Sequence, residues 1–195
     1  MALQVKENIF YSLSNMKDHN HQIYMHSIKV ADMAVHIGQK CGLTQCELIE
    51  LHFGAFFHDI GKLGIPPEIL YKPESLTESE WEIIKKHPIQ GREILENKIC
   101  TSNENILDAV FYHHARYDGE GYPDDINGED IPTLARFIAV ADAMEAMVSR
   151  PYKATFTYKQ VIRELKDCAG TQFDPNIIKN IEDMNPHKVR RILKF

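Results

Sequence analysis

The chain has 195 residues, 44% hydrophobic and 26% charged, with a formal charge of −6. That length fits one medium domain able to bury a core without disulfides, and the acidic balance excludes wholesale binding of duplex nucleic acid, which leaves a basic footprint. Cys41, Cys46, Cys100 and Cys168 form no Cys-x-x-Cys pair and fit structural thiols in a reducing compartment; with no leader pattern and no apolar run of bilayer length, a cytoplasmic protein without a membrane partner is expected.

No linker, repeat or low-complexity tract interrupts the chain, so residues 1–195 are expected to form a single domain, with its motifs between about 20 and 180. Helix signals dominate. Residues 22–41 carry Ile23, Val30, Met33, Ala34 and Ile37 at the spacing of one helical face, with His26 on the same stripe and Gly42 placed to end the helix. Thr44 with Glu47 makes a capping box that opens a helix running to His58, and Thr77 with Glu80 opens another toward His87. Pro88 predicts a break or a fresh start there. Residues 103–114 read as a helix delivering His113-His114, and 116–133, rich in Gly, Pro and Asp, as an ordered loop. A helix resumes near Leu134, with Phe137, Ile138, Ala141 and Glu145 facing inward and Asp142 beside them; Asp174-Pro175 and Pro186 start two short C-terminal helices. The expected fold is all-α, a bundle of about seven to nine helices.

His58-Asp59-Ile60-Gly61-Lys62 sets an imidazole, a carboxylate and an ammonium within one short stretch. His26, His58, Asp59, His87, His113, His114 and Asp142 all fall at inward faces or inner ends of predicted helices. A lone histidine on an apolar stripe, such as His26, is more often a hydrogen-bonded core residue than a ligand. An inward Asp142 needs a cation, because burying a bare carboxylate costs several kcal/mol. Together these groups suffice for two metals with open positions, and a mixed imidazole and carboxylate set suits iron, manganese or zinc better than calcium or magnesium. His19, His21, His36, His52 and His187 fit no such scheme.

The ordered motifs resemble the HD-GYP branch of the HD-domain phosphohydrolases. The resemblance rests on His58-Asp59 with Gly61-Lys62, His87-Pro88, His113-His114 and Asp118 to Pro123. It extends through Ile131-Pro132, Ala139 to Asp142, Arg150 to Lys153 and Gly170 to Pro175. It implies a helical domain that holds two or three metals, often iron or manganese, and hydrolyses cyclic di-GMP. His26, His58, Asp59 and Asp142 would ligate the first ion, with Asp59 bridging to a second completed by His87, His113 and His114. Lys62 would contact phosphate, Arg150 and Lys153 would form a basic ligand-binding pair, and Tyr122 would shape the substrate site.

Several positions depart from the pattern. Gln22 stands where some members carry a third-metal Glu, so two metals are expected. Ala115 replaces a familiar Glu, Glu145 and Val148 replace Asp and Thr, and the chain is one residue shorter between Asp142 and Arg150. The implied reaction is attack of a hydroxide held between the ions, giving linear pGpG, with slower cleavage to GMP. Two alternatives stay open: a hydrolase of another cyclic dinucleotide or nucleotide, and a signalling module that binds a ligand or partner with little turnover. Loop 116–133 is a candidate surface for a protein partner, its many carboxylates being expected to point to solvent, and a homodimer is one candidate assembly.

Overall fold

The structure, a computed structural model, describes residues 17, 21–99, 101–123, 125–149 and 156–194. Its α-helices are α1 (His21–Lys40), α2 (Gln45–Phe57), α3 (Pro67–Leu70), α4 (Glu78–Ile84), α5 (His87–Ile94), α6 (Glu104–Phe111), α7 (Thr133–Val148), α8 (Tyr158–Asp167), α9 (Pro175–Ile181) and α10 (Pro186–Leu193). Short 3-10 turns occupy Ile60–Gly64 and Gly128–Asp130, and a π turn, Leu95–Ile99, continues α5. No strand occurs among the described residues, and none of their helices is long and apolar enough to cross a membrane.

Local chemistry sets the element boundaries. Gly42 ends α1 at φ 84°, a conformation that costs other residues a Cβ clash. The capping boxes at Thr44/Glu47 and Thr77/Glu80 both form, each satisfying otherwise orphaned backbone N–H groups. Asp174 and Asn185 cap the two Pro-initiated C-terminal helices. Helix α6 stops at Phe111 rather than running to residue 114, so His113 and His114 stand in the turn that follows it. Helix α8, capped by Thr157 and Gln160, was absent from the expected elements.

Two apolar clusters hold these helices together. The larger joins α1, α2 and α7, through Val30, Met33, Leu51, Ile138 and Met144, to α8, α9 and α10. The smaller gathers Ile23, Phe57, Ile60, Leu95, Leu107 and Val110 around α5 and α6. Each fully buried aliphatic side chain contributes roughly 1.5–3 kcal/mol relative to exposure. Bonds to the chain past α7 add direction: Arg136 donates to Asp174 at 2.6 Å and the Tyr158 hydroxyl donates to the Met184 carbonyl at 2.8 Å. The inward polar side chains come from helices of both clusters.

Candidate metal centre

His58 and Asp59 follow α2 directly, where the chain turns into the 3-10 segment. Gly61 makes the next approach possible: a Cβ there would collide with the His87 carbonyl oxygen and lie 2.7 Å from the Gly91 nitrogen. Only a residue without a side chain lets this turn press against the start of α5, bringing His58-Asp59 beside His87. His26 projects from α1 and Asp142 from α7, while the turn after α6 supplies His113 and His114.

Three of the histidines share one orientation. Nδ1 of His58, His87 and His113 lies 2.7, 2.8 and 2.6 Å from the carbonyl three residues earlier, of Ala55, Ile84 and Val110. A carbonyl only accepts, so Nδ1 carries the proton and each Nε2 turns a lone pair inward. The Nε2 atoms of His87 and His113 face one another at 3.1 Å. Two lone pairs at that distance repel unless a cation or proton is shared with them. His58 Nε2 and Asp59 Oδ1 are buried without a hydrogen-bond partner, which at such depth costs stability.

The side chains fall into two groups whose ligand atoms lie within 4.8 Å of one another: Asp59, His87, His113 and His114; and His26, His58 and Asp142. Asp59 faces both. Its Oδ1 is 3.3 Å from His87 Nε2 and 3.9 Å from His113 Nε2, while Oδ2 is 3.5 Å from His58 Nε2 and 3.6 Å from His26 Nε2. The donor set, inward lone pairs converging on an unpartnered carboxylate oxygen, fits divalent cations in both groups.

Electrostatics keeps the ligand atoms of His58, His113, His114, Asp59 and Asp142 in the state a metal requires. Burial lowers the pKa of His58 and, more strongly, of His113, and brings His114 down to about 3, so these rings are neutral. Burial would raise the Asp59 carboxyl, but the Lys62 ammonium, 2.7 Å from Oδ2, holds it well below the usual range. Burial likewise opposes ionisation of Asp142, yet its hydrogen bond to His26 keeps it ionised.

The model of the HD domain matches residues 12–177. The chain belongs to the HD-domain family. This HD domain is 36% identical over 163 residues to a cyclic di-GMP phosphodiesterase of Thermotoga maritima, covering 81% of this chain and 43% of that protein. It is 38% identical over 154 residues to the cyclic di-GMP phosphodiesterase response regulator RpfG of Xanthomonas campestris, covering 77% of this chain and 40% of the relative. A 3′3′-cGAMP-specific phosphodiesterase of Vibrio cholerae is 31% identical over 178 residues, 90% of this chain and 34% of its own length. The chain thus spans less than half the length of these curated relatives. Among solved structures, the HD domain of the L. monocytogenes phosphodiesterase PgpH in complex with cyclic di-AMP has the same fold, with TM-score 0.68, 24% identity and coverage of 93% of this chain and 96% of that one. A cyclic GMP-AMP-specific phosphodiesterase of V. cholerae superposes with TM-score 0.69 at 16% identity, over 95% of this chain and 50% of that one. The ordered motifs and these relatives place the HD domain in the HD-GYP branch.

The Gly-Tyr-Pro loop of the HD domain folds back over the second group. A Cβ on Gly121 would lie 2.5 Å from the Arg116 nitrogen and 2.6 Å from the His114 carbonyl, so glycine is required there. Tyr122 stacks on His114, with ring centroids 4.7 Å apart and an interplanar angle of 27°. Burial raises the Tyr122 phenol above its ordinary pKa, so it stays protonated. Asp118 pairs with Arg116, and Asp118, Glu120, Asp125, Glu129 and Asp130 are exposed, as expected of a loop that must not repel an anion. Gln22 is exposed on α1, one turn before His26. Arg150 and Lys153 lie outside the described residues, as do Cys100 and Asp124.

Two contributors lie outside the expected set of site residues. Glu145, expected as an inward packing position, accepts from His26 Nδ1 at 2.8 Å and from Lys29 at 3.1 Å, so it orients the imidazole that faces Asp142. Its signal was a charged residue one turn after Asp142 on an apolar face. Trp81, on α4, sets its ring 6.3 Å from that of Tyr122.

Proposed function

We propose that this HD domain is a divalent-metal-dependent phosphodiesterase that opens cyclic di-GMP to linear pGpG, with cleavage to GMP as a slower second step. The observation that carries the reading is the placement of Asp59, one oxygen toward each of two histidine-rich groups. His26, His58 and Asp142 would hold one ion, His87, His113 and His114 the other, with Asp59 shared. Gln22 offers no carboxylate for a third ion. Iron or manganese suits the mixed nitrogen and oxygen donors. Bound divalent ions would supply Lewis-acid charge for the phosphate and acidify water for attack on phosphorus.

The protein's own groups bind and orient. Lys62, beside Asp59, would meet a phosphate oxygen as negative charge builds in the transition state. The protonated Tyr122 ring closes the open side at His114 and excludes water from one face of the site. Water oxygen bonds to phosphorus, the bond from phosphorus to the ribose 3′ oxygen breaks, and the departing alkoxide takes up a proton to give the 3′ hydroxyl.

The names of the Thermotoga and Xanthomonas relatives support cyclic di-GMP; that of the 3′3′-cGAMP-specific Vibrio relative supports a second reading, in which the same site opens a cyclic GMP-AMP ring. A chromatographic time course with anaerobically purified protein loaded with ferrous iron or manganese separates them. Appearance of pGpG is expected. Cleavage of 3′3′-cGAMP alone moves the substrate to the second reading, and intact rings in every metal-loaded sample sink both.

A further inference from the structure

Trp81 is the chain's single tryptophan, and it is 43% exposed. It is held in place by local structure. Helix α4 is fixed at its start by the Thr77/Glu80 capping box, and Lys72 Nζ lies 2.7 Å from a Glu80 carboxylate oxygen. The Trp81 ring meets that of Tyr122 at 6.3 Å and 76°, and Tyr122 in turn stacks on His114 at 4.7 Å. His114 is the one member of its ligand group that is not fully buried. The series His114, Tyr122, Trp81 therefore runs from the second ligand group to solvent.

In a cyclic dinucleotide each base hangs one ribose away from the phosphates. With a phosphate over the two ligand groups, a base must extend outward, and on the His114 side it reaches an aromatic rim. We infer that Trp81, with Tyr122, forms a stacking ledge for one purine base of the substrate, so that Trp81 is a substrate-binding residue. A flat indole face binds a purine by π overlap with little demand on its hydrogen-bonding edge, so the ledge grips guanine and adenine alike. This rests on the cyclic-dinucleotide reading above.

The single tryptophan makes the ledge directly observable. Manganese-loaded protein is titrated with a phosphorothioate analogue of cyclic di-GMP, which resists cleavage, and binding is followed in parallel by calorimetry and by indole fluorescence. Saturable quenching that tracks the calorimetric isotherm is expected. With cyclic di-GMP itself, Trp81→Ala should raise KM on the order of ten-fold with kcat nearly unchanged, and Trp81→Phe should recover most of the loss. If Trp81 served only to hold helix α4, no quenching would appear and both variants would alter thermal stability without moving KM. Calorimetric binding with silent fluorescence and an unchanged KM overturns the ledge while leaving the hydrolytic reading intact. Absence of calorimetric binding by the wild-type protein overturns the cyclic-dinucleotide reading itself, and the ledge with it. Should Trp81→Ala fail to fold, the wild-type quenching and the Trp81→Phe kinetics still decide.

Discussion

The imidazole of His26 is held from both sides. Glu145 Oε2 accepts from Nδ1 at 2.8 Å, while Nε2 faces Asp142 Oδ1 at 3.2 Å and Asp59 Oδ2 at 3.6 Å. Partners of this kind fix ring orientation and raise ligand basicity, and their loss typically costs about 10–100-fold in metal affinity. Glu145→Gln should therefore weaken uptake at the His26 group by about that factor, read by competition with a chromophoric chelator; unchanged affinity would show that packing alone orients the ring. Without metal, burial lowers the His26 pKa, but hydrogen bonds to Asp142 and Glu145 and the charges of Asp142 and Asp59 outweigh this and carry it from 6.5 to about 10. The folded value is the higher one, so this proton stabilises the metal-free protein fully below the unfolded value and ceases to do so as pH rises through the folded value. A metal needs the Nε2 lone pair, so loading expels the proton. Metal-free stability is thus expected to fall, and metal affinity to rise, between pH 6.5 and about 10. Calorimetric loading in buffers of different ionisation enthalpy would register the released proton, and identical heats would refute it.

Among the elements, the contact between the Ile60–Gly64 turn and α5 decides whether two motifs become one site. Gly61 touches the His87 backbone so closely that a methyl group has no room, and the obstacle is main chain that cannot rotate away. Gly61→Ala should cost about 3 kcal/mol, the upper end for forced overpacking, and should lower metal content at the His87 group. Urea unfolding measures the first and elemental analysis the second; a wild-type midpoint would mean that the turn can shift without penalty. Element boundaries were legible where a side chain caps backbone groups, as at Thr44, Thr77 and Asp174. Helix α8 carries the same signal in Thr157 and Gln160, with Val161 and Leu165 buried one turn apart. The end of α6 was not legible. Neighbouring residues on a helix point about 100° apart, so two adjacent ligands converge only if the helix stops first. Tyr112 closes it by donating to Asp108, and the following turn aims His113 and His114 together.

At the level of the whole molecule, the helices that carry the ligands are packed by two apolar clusters, with Phe57 and Ile60 of one and Ala141 of the other beside ligand positions in sequence. Chelation should therefore leave the helices in place and remove stability. A metal held at a hundredfold excess over its Kd adds about 2.7 kcal/mol to unfolding, seen as a shift of the urea midpoint at constant slope. Equal midpoints with and without chelator would count against a folded-state metal site. The sequence by itself determined the residue types, their order and the faces they occupy: the 3.6-residue period puts His26 and Asp142 on apolar stripes, and the family resemblance grouped the ligands. The resemblance already implied a shared Asp59; tertiary structure alone decided that Glu145 serves His26 across 119 positions of chain and that Trp81 comes to rest against Tyr122. The reason is physical. Periodicity and capping act within a few residues, whereas these contacts depend on the angles at which separately formed helices pack, which the packing of the whole core sets.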